Sequence, residues 1–321
     1  MHQALAGKNG VPSTLRVRAH KHAWRVLHFT AELTRIARCF EQRGIKFLAH
    51  KGPALAQLLY GTPPMRQFGD LDVIVRSRDL ARVREALMEL GYDAGLRLSP
   101  RQQQSFLRSG YECSFSLNSE HNLVELQWQI VPRFYSVDFN IDALFSRSVR
   151  IELDGLSLQT LRHEDLLLAL CVHAAKHEWA QLGMLRDIAT LTNFNLDWDW
   201  IIAEARRLGI LKILQVSLLA LGELFSVFLV PQLRPRVKGA AELASAVVAG
   251  LQFDPEPNTE SIRYFRAQLQ TREQWRDRVR FIWRLATTPS VQEWQAVHIP
   301  DRYFALYRAV RIARLMNRFL T

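Results

Sequence analysis

The chain has 321 residues, 48% hydrophobic and 23% charged, which excludes a disulfide mini-protein, a collagen-like chain and a mainly disordered one. Its length suits one large core or two modest ones. Lys and Arg number 42 against 31 Asp and Glu, net +11, and the excess lies at the ends: residues 1–50 carry +7, 51–260 carry −4 and 261–321 carry +8.

Residues 1–18 read as a loose basic leader without the long apolar run of a signal peptide. Helical spacing then begins, with Trp24, Leu27, Ala31, Leu33, Ile36 and Phe40 as an apolar stripe and Gly44 as the stop. Residues 45–50 predict a short strand. Gly52-Pro53 turns into a helix whose inner face is Ala54, Leu55, Leu58 and Leu59, halted by Thr62-Pro63-Pro64. Residues 71–75 (LDVIV) predict a strand, and Ser77 is expected to cap a helix over 78–90 with Leu80, Val83, Leu87 and Leu90 inward. Strands over 111–117 and 123–130, joined by the turn 118–122, predict an antiparallel hairpin, and 149–153 a further strand.

After residue 160 the pattern is helical: 164–177, 188–193, 200–207, 210–230 and 237–251. The stretch 213–230 is about membrane length, but Gln215, Ser217, Glu223 and Pro231 favour a buried helix over a span. Residues 253–260 (FDPEPNTE) read as a linker. Two basic helices are expected beyond it, over 261–285 and 303–319. The organisation expected is a leader 1–18, a mixed α/β core 19–158, a helical domain 159–252, a linker 253–260 and a basic helical tail 261–321.

The chemistry concentrates in residues 51–75, KGPALAQLLYGTPPMRQFGDLDVIV. Strand periodicity puts Asp70 and Asp72 on one face, with Leu71, Val73 and Val75 on the other. Two adjacent carboxylates need a compensating cation or a basic partner. Mg²⁺ supplies one and leaves room for phosphate oxygens, whereas the plainer reading is a solvated strand start. Lys51-Gly52 ends a strand just before a helix N-terminus, a setting that attracts anions. Arg66 could reach a phosphate oxygen. Glu125, between apolar neighbours on a later strand, is a candidate third ligand.

This stretch resembles the polymerase-beta-like nucleotidyltransferase superfamily, and more narrowly the bacterial group called the uncharacterised nucleotidyltransferase family. The residues that carry the likeness are K-G-x-A-L, Y, R and D-L-D up to Val75, a strand here read ELQW, and a helix with His173, His177 and Trp179 followed by Asp187. The likeness spans roughly residues 25–235. Two positions depart from the pattern. Pro53 stands where the superfamily usually has Gly or Ser, so no hydroxyl or N–H is offered there. Gln127 stands where the family often has His, and Gln cannot act as a base.

The resemblance implies an α/β (α+β) nucleotidyltransferase-type mixed sheet with flanking helices and a C-terminal all-helical portion. It implies Mg²⁺-dependent (or Mn²⁺-dependent) transfer of a nucleoside monophosphate from an NTP, ATP included, to an unidentified acceptor. Asp70, Asp72 and Glu125 would be the catalytic metal ligands. Lys51, Gly52, Arg66, His173, Lys176 and His177 would contact the nucleotide, and Tyr60, Gln127, Trp179 and Asp187 are further candidates. The alternatives are a catalytically inactive nucleotide- or partner-binding scaffold and an RNA-binding or RNA-modifying protein.

In the tail, Arg263, Arg266, Arg272, Arg276, Arg278, Arg280 and Arg284 share one predicted helix with Tyr264, Phe265, Trp275, Phe281 and Trp283. A solvated Arg face over an aromatic packing face is the plainest reading. An anionic membrane surface stays open. So does nucleic acid, although no base-reading motif is present. Cys39, Cys113 and Cys171 form no pair motif and suit a reducing, cytoplasmic compartment, with no transmembrane span expected.

Overall fold

The computed structural model describes residues 12–96, 98–117, 120–225, 233, 237–251 and 262–320. In chain order the elements are α1 (Ser13–Gln42), β1 (Phe47–Ala49), α2 (Gly52–Tyr60), β2 (Asp70–Val75), α3 (Leu80–Glu89), β3 (Tyr92–Asp93), α4 (Pro100–Ser109), β4 (Glu112–Leu117) and β5 (Glu120–Gln127). Then come α5 (Ile141–Ser146), β6 (Val149–Leu153), β7 (Leu156–Thr160), α6 (His163–Lys176), α7 (Leu182–Leu191), α8 (Trp198–Leu208) and α9 (Leu211–Phe225). The chain closes with α10 (Ala240–Gly250), α11 (Ile262–Gln270), α12 (Trp275–Thr287), α13 (Val291–Ala296) and α14 (Tyr307–Leu320). This is a mixed α/β sheet followed by a largely helical region.

Contacts divide the chain into two units: 1–96 with 112–128 and 140–162, and 97–111 with 129–139 and 163–321. Neither is one continuous stretch, whereas the organisation expected from sequence runs in consecutive segments, 1–18, 19–158, 159–252, 253–260 and 261–321.

The first unit holds a five-stranded sheet of order β1-β2-β5-β4-β3 and the hairpin β6-β7. All pairings in the larger sheet are antiparallel except β2 with β5. Helix α1 lays Val26, Phe29, Leu33, Ile36 and Phe40 onto the unit at helical spacing. Trp24 and Leu27, expected on that inner face, are exposed, because they lie on the side of the helix away from Val26, Phe29 and Leu33. The helix begins at Ser13, inside the segment expected to be a loose leader, while 1–11 lie outside the described residues. Ser77 does not cap a helix as expected. It opens a 3₁₀ turn (Ser77–Asp79), and α3 starts at Leu80 with no side-chain cap.

In the second unit α6 is buried nearly all round, with α7, α8 and α9 packed against it. The buried Gln215 and Ser217 of α9 find partners, which is why an apolar stretch can carry them inside a protein core. Gln215 donates to the Leu233 carbonyl at 2.9 Å and accepts from the Val237 N–H at 2.6 Å. Ser217 accepts from the Trp179 indole at 2.8 Å, and Glu223 from Ser245 at 2.9 Å. Among the described residues no helix is long and apolar enough to cross a membrane. The linker expected at 253–260 and the end of the 210–230 run lie outside the described residues.

The single helix expected over 261–285 is two helices. Between them Thr271 Oγ1 bonds back to the Gln268 carbonyl at 2.7 Å, and Glu273 accepts the Lys212 N–H at 2.8 Å. The break turns Arg272 inward, 1% exposed, against the Tyr135 and Phe281 rings. Farther on, Glu293 is fully buried and accepts from Arg311 at 3.1 Å, Arg314 at 3.0 Å and the Ser290 N–H at 2.7 Å. Burial disfavours its charge, but the Ser290 N–H and the Arg311 guanidinium hold it below the usual carboxylate value of 4.5.

Removing one partner of a buried ionic cluster leaves the others uncompensated. Glu293→Ala is expected to cost about 3 kcal/mol in urea unfolding of the tail helices. Because the folded pKa is depressed, this contribution is present above 4.5 and is lost as pH falls below it. Equal stabilities of wild type and variant at pH 7 would contradict the assignment.

Candidate metal centre

Strand β2 (DLDVIV) runs between β1 and β5 and is buried along its length except at Asp70. Parallel pairing sets Asp72 opposite Glu125 and Asp70 opposite Leu123. Opposed residues share a face, so the two aspartates and Glu125 emerge together. Their ligand oxygens all lie within 4.8 Å of one another.

The chain leaves β1 at Ala49 and turns through His50-Lys51-Gly52 into α2. The His50 N–H donates to the Asp72 carbonyl at 3.0 Å and ties this turn to β2. Gly52 has φ +57°, and a Cβ there would lie 3.1 Å from the Asp70 carbonyl oxygen. Backbone conformation and close approach both call for glycine at this point. Pro53, at the start of α2, is buried and offers no N–H.

The turn places Lys51 Nζ 2.6 Å from Asp72 Oδ1. Gln127 donates to the same oxygen at 2.9 Å. Asp72 Oδ2 is buried and has no hydrogen-bond partner among the described residues. Such an oxygen is costly unless something outside the chain uses it.

The charge balance follows from these contacts. Burial opposes ionisation of Asp72, but the Lys51 ammonium outweighs it and holds the carboxyl below its ordinary value. Burial likewise opposes charge on Lys51, and the Asp72 carboxylate pushes it above the usual lysine range. Burial raises Asp70, and the neighbouring Asp72 charge raises it further. Glu125 is pushed up to about 8, by burial first and then by Asp72 and Glu112. Lys51 and Arg66 together still leave Asp70 and Glu125 above their ordinary values, so the cluster is short of positive charge. Hard oxygen donors, a shortage of positive charge and an orphaned carboxylate oxygen fit Mg²⁺ or Mn²⁺.

The other sequence candidates fall into two groups. Arg66 follows the 3₁₀ turn Pro63–Met65, and its charge acts on Asp70 and Asp72. Tyr60 ends α2 and is half-buried. The remaining candidates belong to the second unit. There the His173 and His177 rings lie edge to face, 4.7 Å between centroids. Lys176 donates to the Tyr111 hydroxyl at 2.8 Å and lies over its ring. Trp179 is buried, as a core anchor should be, at φ +53°, and Asp187 is buried in α7.

Two further residues shape the centre: Gln127, a sequence candidate that cannot serve as a catalytic base, and His50, which is not a candidate from sequence. Gln127 carries no base, yet it orients Asp72. Its sign was the i+2 spacing from Glu125 on the same strand face. His50 is fully buried, and burial followed by the Lys51 charge pushes its pKa down to about 3, so it is neutral. Nothing in the linear pattern marks it.

A family model described as an uncharacterised nucleotidyltransferase matches residues 3–226. The chain belongs to that family, and its mixed sheet agrees with the polymerase-beta-like superfamily. No curated protein matches the sequence. Among solved structures, the antibiotic-resistance factor ANT(2'')-Ia in solution is 10% identical at a TM-score of 0.43, covering 56% of this chain and 91% of its own. The lincomycin-bound lincosamide antibiotic adenylyltransferase LnuA is 16% identical at 0.36, covering 51% and 97%. An antigenic nucleotidyltransferase-like protein from Paracoccidioides brasiliensis is 14% identical at 0.38, covering 67% and 92%. Likenesses of this strength carry nothing about substrate.

Lys51 Nζ competes with a cation for Asp72 Oδ1. Lys51→Met is therefore expected to tighten Mn²⁺ binding by about tenfold, read by calorimetry. Weaker binding in the variant would mean that the ammonium helps to build the centre instead of competing with the ion.

Proposed function

We propose that this member of the uncharacterised nucleotidyltransferase family transfers a nucleoside monophosphate from an NTP to an acceptor hydroxyl or amine, with the β2–β5 carboxylates as its metal centre. One observation carries the reading: three carboxyl groups from two adjacent strands converge within 4.8 Å, and a buried oxygen of one of them is left without a partner.

Asp70, Asp72 and Glu125 hold divalent cations, which when bound lower the pKa of the acceptor group and offset charge on the departing pyrophosphate. Asp72 is kept ionised by Lys51 and aimed by Gln127. The Lys51 ammonium, on the turn into α2, would offset charge on phosphate oxygens. Gly52 keeps the turn close against β2 without a side chain in the way. Arg66 adds positive charge beside Asp70. The family motif, not a distance, supports a nucleotide-contacting role for His173 and His177, and helical spacing adds Lys176 to them. Phosphoryl transfer of this kind depends on positioning and electrostatics, so the lack of a side-chain nucleophile in the assignment is no objection.

A binding-only reading has one observation in its favour. The Lys51 ammonium already supplies a positive charge at 2.6 Å from Asp72, as an inactive site that holds no metal would need.

Incubation with Mg²⁺ and each labelled NTP, across a panel of hydroxyl and amine acceptors, separates the two readings. Transfer is expected, and Asp70→Asn, Asp72→Asn and Glu125→Gln should each lower it by about a hundredfold or more. Gln127→Leu should have a smaller effect, since it removes an orienting contact and no ligand. NTP binding without transfer to any acceptor, unchanged in Asp72→Asn, would assign the protein to the binding-only class. Transfer retained in the aspartate variants would remove the metal centre from the reaction.

A further inference from the structure

Helix α12 has apolar residues on two sides. Phe281 and Leu285 point into the second unit and are buried. Trp275, Val279, Ile282 and Trp283 do not: they are 69%, 54%, 51% and 68% exposed. At about 100° per residue these four fall on one arc of about 100°, away from the buried pair. Trp275 and Trp283 mark its two ends along the axis, about two turns apart.

The borders of this arc are cationic. Helical geometry places Arg278 on one side and Arg276 and Arg280 on the other, and all three are exposed. The one acid of the helix, Asp277, lies on the inner side, where its carboxylate faces the space left by the missing side chain of Gly209, 3.4 Å from a Cβ built there. The exposed arc and its borders thus carry no negative charge. The last stretch, 261–321, has a net charge of +8.

We propose that α12 is a peripheral docking helix for an anionic phospholipid bilayer. It lies along the membrane plane with Trp275 and Trp283 at headgroup depth and Arg276 and Arg280 on lipid phosphates. Indole rings suit that depth because they are apolar with one polar edge. Guanidinium groups on both borders suit a surface that is negative on every side of the helix, whereas a single protein groove needs such a border only where its own acids lie. The stripe is convex, on the outside of one helix, which matches a plane better than a pocket. This inference does not depend on the nucleotidyl-transfer reading.

The test uses the full chain and extruded vesicles, one set of phosphatidylcholine with about 30 mol% phosphatidylglycerol and one of phosphatidylcholine alone. Co-sedimentation is expected with the anionic vesicles and is expected to weaken with added salt. The pair Trp275→Ser/Trp283→Ser should lower the partition coefficient by about tenfold. The pair Arg276→Gln/Arg280→Gln, which leaves the apolar arc intact, should lower it by about fivefold per arginine. Matching thermal melts separate these effects from misfolding. Equal sedimentation with both vesicle sets, or no change in either variant, would overturn the proposal. So would absence of sedimentation together with a wild-type dimer that the Trp variant dissolves, since the stripe would then belong to a second copy of the chain.

Discussion

Three carboxyl groups within 4.8 Å of one another repel, and burial makes that repulsion more expensive. The chain meets part of the cost with one buried ammonium, Lys51, and part by leaving Glu125 protonated up to about pH 8. It does not meet the rest. Asp72 keeps one oxygen buried and without a partner among the described residues. A network built for stability alone closes such gaps. One that leaves a negative gap is suited to an incoming cation, and the remaining features of the unit serve to hold that gap in shape.

The sheet order does most of the holding. β2 and β5 are about fifty residues apart in the chain, yet they pair in parallel, and only that pairing sets Asp72 opposite Glu125. The hairpin with β4 fixes β5 on its other edge. Side chains alternate across a sheet, so a slip of one residue in β5 would send Glu125 to the opposite face and leave Asp72 without Gln127. The tight approach of Gly52 to the Asp70 carbonyl does the same for Lys51 by locking the turn that carries it. Position here is set by backbone ladders, which bend less than side chains.

Much of this was legible in the residues. A D-x-D on a predicted strand, a Lys-Gly turn before a helix and an acid between apolar neighbours are local signals, and each reappears in place. The misses share a different cause. Ser99 closes a capping box with Gln102 at the start of α4, but that helix buries no residue, so it has no apolar stripe to read. Trp24 and Leu27 fit a helical stripe as well as Val26 and Phe29 do, and the neighbouring sheet, not the helix, decides which are covered. The break at 271–274 rests on contacts of Glu273 with Lys212 and of Arg272 with Tyr135, partners roughly 60 and 140 residues away. Gln127 looked idle when judged as a base, because its use depends on a strand pairing the linear pattern does not state.

The arginine-rich tail shows why composition alone misleads about a surface. Among the described residues, several of its guanidinium groups are used within the unit: Arg272 on aromatic rings, Arg278 on the Arg272 carbonyl, Arg284 on Asp138, and Arg311 with Arg314 on Glu293. Burial pushes Arg272 down to about 10, so even there it stays charged at neutral pH. The aromatic residues divide as well. Tyr264, Phe265 and Phe281 are buried, while Trp275 and Trp283 are not. A solvated arginine face over an aromatic packing face would have placed both tryptophans inside. Helix α12 instead carries two apolar arcs with cations between them. The unit's own core covers only one of these two arcs. The inner arc is satisfied by the unit's own core, the outer arc is exposed, and the cations at its borders are the reason an anionic surface is proposed for it.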